Sequence, residues 1–174
     1  MKVLYVFDFD DTLIKSQSKV VINKPDGTRL KLSSTEYKGY VKEDGDSFDY
    51  SEFDAYPKGA SFIDSVLAEL HAAIALDGPG SVVILTARQN PRPVRAFLAD
   101  NKLSGVDVIA TGSDDPYSKA DYIMSRLKSE DFDEVVVFED SIKNIRAIRK
   151  VVTTAGYKLE TNRVTTKGVY TRNQ

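Results

Sequence analysis

Four short apolar runs constrain the fold of this chain more than any other feature. Val3 to Phe7, Ser81 to Thr86, Val106 to Thr111 and Glu134 to Asp140 are rich in β-branched or aromatic residues, and each gives way to polar ones. Runs of this kind suit strands buried on both faces, as in a parallel sheet. Helical patterns separate them. In Ala60 to Leu76 the residues Phe62, Ile63, Val66, Leu67, Leu70 and Ile74 recur at three- and four-residue spacing, which gives a helix one apolar face. Further helices are expected over Pro93 to Leu103, over Ser118 to Leu127 with Ser118 as N-cap, and over Ser141 to about Thr154 with Gly156 as the C′ residue. Strand and helix in alternation predict an α/β fold, a Rossmann-like three-layer parallel sheet with helices on both faces. A length of 174 residues fits one domain, 1–174.

One segment, 16–57, breaks the alternation. "KVVINKPDGTRLKLS" reads as a β-hairpin, with Val20 and Ile22 on one arm, Leu30 and Leu32 on the other, and Pro25-Asp26-Gly27 at the turn. The acidic, aromatic stretch after it has no clear period and reads as loop with one short helix. The whole segment is expected to be a small insert after the first strand, lying over one end of the sheet. Tyr157 to Gln174 allows a second hairpin turning at Asn162-Arg163, or a frayed tail.

Composition excludes several chemistries. There is no cysteine and one histidine, His71, so disulfides, thiolate catalysis and multi-histidine metal sites are out. His71 sits inside a helical pattern and reads as structural. No apolar run approaches the roughly 18 residues a membrane span needs. The start, "MKVLYVFD", is too short for a signal peptide, so a cytoplasmic protein without membrane contact is expected.

In an open parallel sheet the functional crevice lies beyond the carboxyl ends of the strands. The residues that end the apolar runs therefore belong together. They are Asp8 and Asp10, then Thr86 followed by Ala87 and Arg88, then Glu139 and Asp140, with Lys119 near the start of a helix. Clustered carboxylates at the end of a buried strand need a positive partner. An oxygen-only donor set favours Mg²⁺.

The motifs "DFDDTL", "ILTAR", a lysine further on and "FEDSIKN", spread from Asp8 to Asn144, resemble the four ordered motifs of the haloacid dehalogenase-like (HAD) superfamily. The resemblance implies the HAD core, with the insert as a minimal cap, and a Mg²⁺-dependent phosphomonoester hydrolase working through an aspartyl-phosphate. In that scheme Asp8 is the nucleophile, and Asp10 protonates the leaving oxygen and then activates water. Asp8, the Asp10 backbone carbonyl and Asp140 hold Mg²⁺. Thr86, Ala87, Arg88 and Lys119 bind the substrate phosphate, and Thr12 steadies the loop. Glu139 and Asn144 support a ligand or a metal-bound water. Two positions depart from the pattern. Asp11 stands where many relatives carry Gly, and Glu139-Asp140 replaces a Gly-Asp or Asp-Asp pair.

Plainer roles compete at several positions. Asp8 and Asp10 also suit a strand end and turn. Thr86 is identified by position alone, and Lys102 and Lys143 rival Lys119. Arg88 contacts substrate phosphate or solvates the crevice rim, while Asp114 and Asp115 read as turn and capping residues. From Lys143 onward the chain carries eight Lys or Arg and one acid, Glu160. That stretch suits either a polyanion or a solvated surface. The aromatics Tyr37, Tyr40, Phe48, Tyr50, Phe53 and Tyr56 suit either a base-stacking surface or a small core for the insert. The substrate class favoured is a nucleotide or a phosphorylated nucleic-acid end, with sugar phosphates as an alternative. Two other functions remain: a phosphotransferase or phosphomutase of the same superfamily, and a catalytically silent phosphate-binding or regulatory module.

Overall fold

The computed structural model describes residues 1–168 and 170–173. In chain order these form β1 (Val3–Phe7), β2 (Ile14–Lys15), β3 (Lys19–Asn23), β4 (Arg29–Ser33), α1 (Ser34–Lys38), β5 (Ser47–Asp49), β6 (Ser61–Phe62), α2 (Asp64–Asp77), β7 (Val82–Thr86), α3 (Arg92–Asp100), β8 (Asp107–Ala110), α4 (Pro116–Ser129), β9 (Glu134–Glu139), α5 (Ile142–Thr154), β10 (Lys158–Val164) and β11 (Tyr170–Asn173). Short 3₁₀ turns lie at Ser51–Phe53 and Pro79–Ser81.

The main sheet has the order β11-β10-β9-β1-β7-β8. Its neighbours are parallel except for β10 and β11. Side chains alternate across a strand, and β1 shows the result. Leu4 and Val6 face one core with Ala120, Ile123 and Leu127 of α4 and Ile148 and Val152 of α5. Phe7 faces the other core, with Val66 and Leu70 of α2 and Val94 and Phe97 of α3. Helices thus cover both faces, which explains the continuous apolar runs and is compatible with a Rossmann-like arrangement. Among the described residues no helix is long and apolar enough to cross a membrane.

The chain leaves β1 for β7 and β8 on one side, then returns to β9 and β10 on the other. β1 is therefore the switch point, and a crevice is expected beyond its carboxyl end. Phe7 pairs with Ile84 and with Phe138, so the residues that follow these three strands emerge at one edge.

Segment 16–57 holds the hairpin β3–β4, turning at Pro25-Asp26-Gly27, and a third strand, β5, on the other side of β3. A capping box between Ser33 and Glu36 starts α1. Tyr37, Tyr40, Phe48 and Tyr50 pack on one another, with ring centroids 5.8–6.4 Å apart. These half-buried aromatics form one cluster within the insert, whose buried apolar residues include Val20, Val21 and Ile22 of β3.

Two sequence expectations are corrected. The α4 N-cap is Asp115, not Ser118; its side chain accepts the Tyr117 amide, and Pro116 opens the helix. An Asp-Pro pair does both jobs, a capping oxygen followed by a residue with no amide to satisfy. The terminal hairpin does not turn at Asn162-Arg163, which lie inside β10. Its turn includes Thr165 to Gly168, with the Gly168 amide donating to the Thr165 carbonyl. Gly168 has φ +74°, and a Cβ there would sit 3.0 Å from Ile63 Cγ2. Glycine meets both demands.

Ile84 is fully buried in the strand beside β1. Ile84→Ala is expected to cost about 2–5 kcal/mol of unfolding free energy. The control is Val41→Ala at an exposed position, expected to stay within about 0.5 kcal/mol. Guanidinium denaturation measures both, and equal stabilities would contradict this account of the core.

Candidate functional site

The loop after β1 is wound tightly. The Phe9 carbonyl accepts the amides of Thr12 (3.3 Å), Leu13 (2.9 Å) and Ile14 (3.1 Å). The winding puts Asp11 at φ +63°, a left-handed conformation that aspartate tolerates better than most side chains. Ile63 donates its amide to Leu13, and β2 pairs with β6, so the base of the insert is tied to this loop.

Asp8 leaves β1 with its amide donating to Phe138 O at 2.9 Å. Its carboxylate is buried. Oδ1 accepts from Lys119 Nζ at 2.7 Å, and Oδ2 from the Thr12 hydroxyl at 2.8 Å. The same hydroxyl lies 3.2 Å from Asp140 Oδ1. Lys119, in the first turn of α4, also donates to Glu139 Oε2 at 2.9 Å. Glu139 Oε1 accepts the Ser141 amide at 3.1 Å, and Ser141 caps α5 by accepting from the Asn144 amide at 3.3 Å. What ties Asn144 to this end is thus its backbone.

Carboxylate oxygens of Asp8, Glu139 and Asp140 all lie within 4.8 Å of one another. Burial alone would raise the Asp8 pKa, but the Lys119 and Lys38 charges outweigh it and hold it below the usual range. Burial, then repulsion from Asp8, push Asp140 up to about 9 and raise Glu139. Burial works against the Lys119 ammonium, yet Asp8 and Glu139 raise its pKa.

Arg88 is not at a solvated rim; it is 5% exposed. Its Nε and Nη2 grip both oxygens of Asp10, each at 2.9 Å. Its Nη1 donates to the carbonyls of Phe53 (3.0 Å) and Ala55 (3.2 Å) in the insert. The guanidinium lies over the rings of Phe9 and Phe53. Thr86 is buried, its hydroxyl accepting the Arg88 amide at 3.2 Å, while Ala87 beside it is exposed. The structure therefore joins Asp8, Thr12, Lys119, Glu139 and Asp140 in one network, and Asp10, Thr86 and Arg88 in a second.

One member was not legible in the sequence. Lys38, the last residue of α1, donates to Asp140 Oδ2 and lies 3.4 Å from Asp11 Oδ2. No local motif marks it; only the placing of the insert over the sheet edge does.

Fully ionised, Asp8, Asp11, Glu139 and Asp140 face two ammonium groups, which leaves two negative charges unmatched. An oxygen-only donor set with such a surplus fits a hard divalent cation. The Asp10 carboxylate is held by Arg88, and the side-chain oxygens grouped beside Asp8 are those of Glu139 and Asp140. Scans of family models, curated proteins and solved structures found no match to this chain.

Lys119→Met would leave Asp8 and Glu139 buried without their shared cation. It is expected to cost about 3–5 kcal/mol, the usual penalty for orphaning a buried charge. Denaturant melts at neutral pH measure this, and wild-type stability in the variant would show that the ammonium is not what holds these strand ends together.

Proposed function

We propose that the chain is a Mg²⁺-dependent phosphomonoester hydrolase of the HAD type, with the 16–57 insert as a minimal cap. The observation that carries this reading is the setting of Asp8: a buried carboxylate held by Lys119 on one oxygen and by the Thr12 hydroxyl on the other, with an Asp140 oxygen within 4.8 Å. A carboxylate held charged and aimed from the end of a central strand is suited to nucleophilic attack.

In this mechanism an Asp8 oxygen attacks phosphorus while the ester P–O bond breaks, and the leaving oxygen takes a proton from Asp10. Asp10, now a carboxylate, accepts a proton from water as that water attacks the aspartyl-phosphate. The Asp8–phosphorus bond then breaks, and inorganic phosphate leaves. Lys119 offsets the charge of the incoming phosphate, and the Thr86 hydroxyl, which still has a proton to donate, contributes to the phosphate site. Asp8, Asp140 and the Asp10 backbone carbonyl, with Glu139 close by, would hold Mg²⁺, which when bound would supply the charge neutralisation an anion needs to approach Asp8.

The substrate class we favour is a nucleotide or a phosphorylated nucleic-acid end. Support comes from the basic residues after Lys143. It is weakened by Arg149, held by Thr161 at 2.8 Å, and Arg172, paired with Glu160 at 3.1 Å. It is weakened too by the insert aromatics, which pack on one another. A second reading, a silent phosphate-binding module, has one observation in its favour. Arg88 engages both Asp10 oxygens, so acid–base work requires that fork to open.

The test is phosphate release from nucleotides, sugar phosphates and 3′- and 5′-phosphorylated oligonucleotides, with and without Mg²⁺. Asp8→Asn is expected to abolish turnover with its circular dichroism unchanged. Asp10→Asn should lower it by about 10²–10⁴-fold, the usual share of general acid–base catalysis. Near-normal turnover in either variant would remove the mechanism. Tight binding of one phosphate ester with no release in the wild type would favour the silent module.

A further inference from the structure

Lys38 stands apart from the other site residues because it comes from the insert. The five-residue helix that ends with it is fixed at its start by the Ser33–Glu36 capping box. It is fixed along its side by Tyr37, whose ring meets Phe48 and Tyr50 and whose hydroxyl lies 2.6 Å from the Tyr50 hydroxyl. From that base the Lys38 side chain, still 39% exposed, reaches Asp140 and Asp11. Asp140 is then engaged on both oxygens, by Lys38 on Oδ2 and by Thr12 on Oδ1. A divalent cation shared by Asp8 and Asp140 needs one of these oxygens and would lie beside the ammonium. Two cations cannot share so small a space without strong repulsion.

We propose that Lys38 is a tethered competitor for the divalent cation: metal binding and the Lys38–Asp140 contact exclude each other, so loading the site releases the Lys38 tether between the end of α1 and the sheet edge. This rests on the metal site of the preceding section. The remaining ties between the insert and the sheet edge near the site include Arg88 to Phe53 and Ala55, and Lys42 to Asp114 at 3.3 Å. Metal occupancy is thereby transmitted to the position of the insert at the crevice mouth. The insert in turn sets the affinity for metal, because coupling between two sites is reciprocal.

The experiment is calorimetric titration of Mg²⁺ into the full chain as wild type, Lys38→Met and Lys31→Met, with amide chemical shifts followed in parallel. Lys31 is exposed on the same insert, so its variant makes the same change in net charge away from the acids. Lys38 is partly exposed, and its truncation removes nothing from either core. Lys38→Met is expected to bind Mg²⁺ at least about fivefold more tightly than wild type, the low end of ordinary coupling. Lys31→Met should match wild type, and the wild-type amides of Lys38 and Gly39 should shift on titration. Equal or weaker binding by Lys38→Met, equal tightening in both variants, or unmoved α1 amides would overturn the proposal while leaving the metal site standing. Absence of Mg²⁺ binding in wild type and Lys38→Met alike would remove the metal site, and this inference with it.

Discussion

The Lys119 ammonium, buried between Asp8 and Glu139, is the contact on which this end of the molecule depends. Three elements meet at it: the ends of β1 and β9, and the first turn of α4. A lone carboxylate at either strand end would be driven to take up a proton or to move toward water. With the lysine between them, both strands can end in acids and remain parallel neighbours through Phe7 and Phe138. The apolar cores set the distance between strand and helix, and Lys119 makes that distance compatible with charge. Asp140 lies one residue beyond this protection, and burial beside Asp8 raises its pKa.

The sheet was readable in the sequence because its strands are covered on both faces, which leaves unbroken apolar runs such as the one ending at Thr86. The helices were readable where one face is apolar. What escaped was local chemistry that a hydrophobic pattern does not register. Asp115-Pro116 started α4 three residues before the first candidate cap, and this shift moves Lys119 from the first helical position to the fourth. β5 is three residues long and stands within an acidic stretch, so it carried no period to detect. The turn of the terminal hairpin was set by Gly168, not by the asparagine four positions from the start of β10.

The candidate site divides along the same line. Asp8, Thr12, Glu139 and Asp140 flank strand ends, and a sheet with β1 at its switch point brings strand ends together, so motif order was enough to gather them. The partners of Arg88 were out of reach of such reasoning, because Phe53 and Ala55 offer backbone carbonyls, which any sequence would supply. Lys38 was equally silent. It matters only because a capping box and a tyrosine pair set its helix where the side chain meets Asp140.

Arg88 has one further consequence. A guanidinium is a rigid plane with donors on several edges, and a rotation that changes one edge changes the others. Here two donors hold Asp10 and a third holds the chain at Phe53 and Ala55. The carboxylate and the roof above it are therefore geared together through one side chain. A displacement of the chain at Phe53 and Ala55 would be felt at Asp10, and a displacement of Asp10 would be felt there in turn.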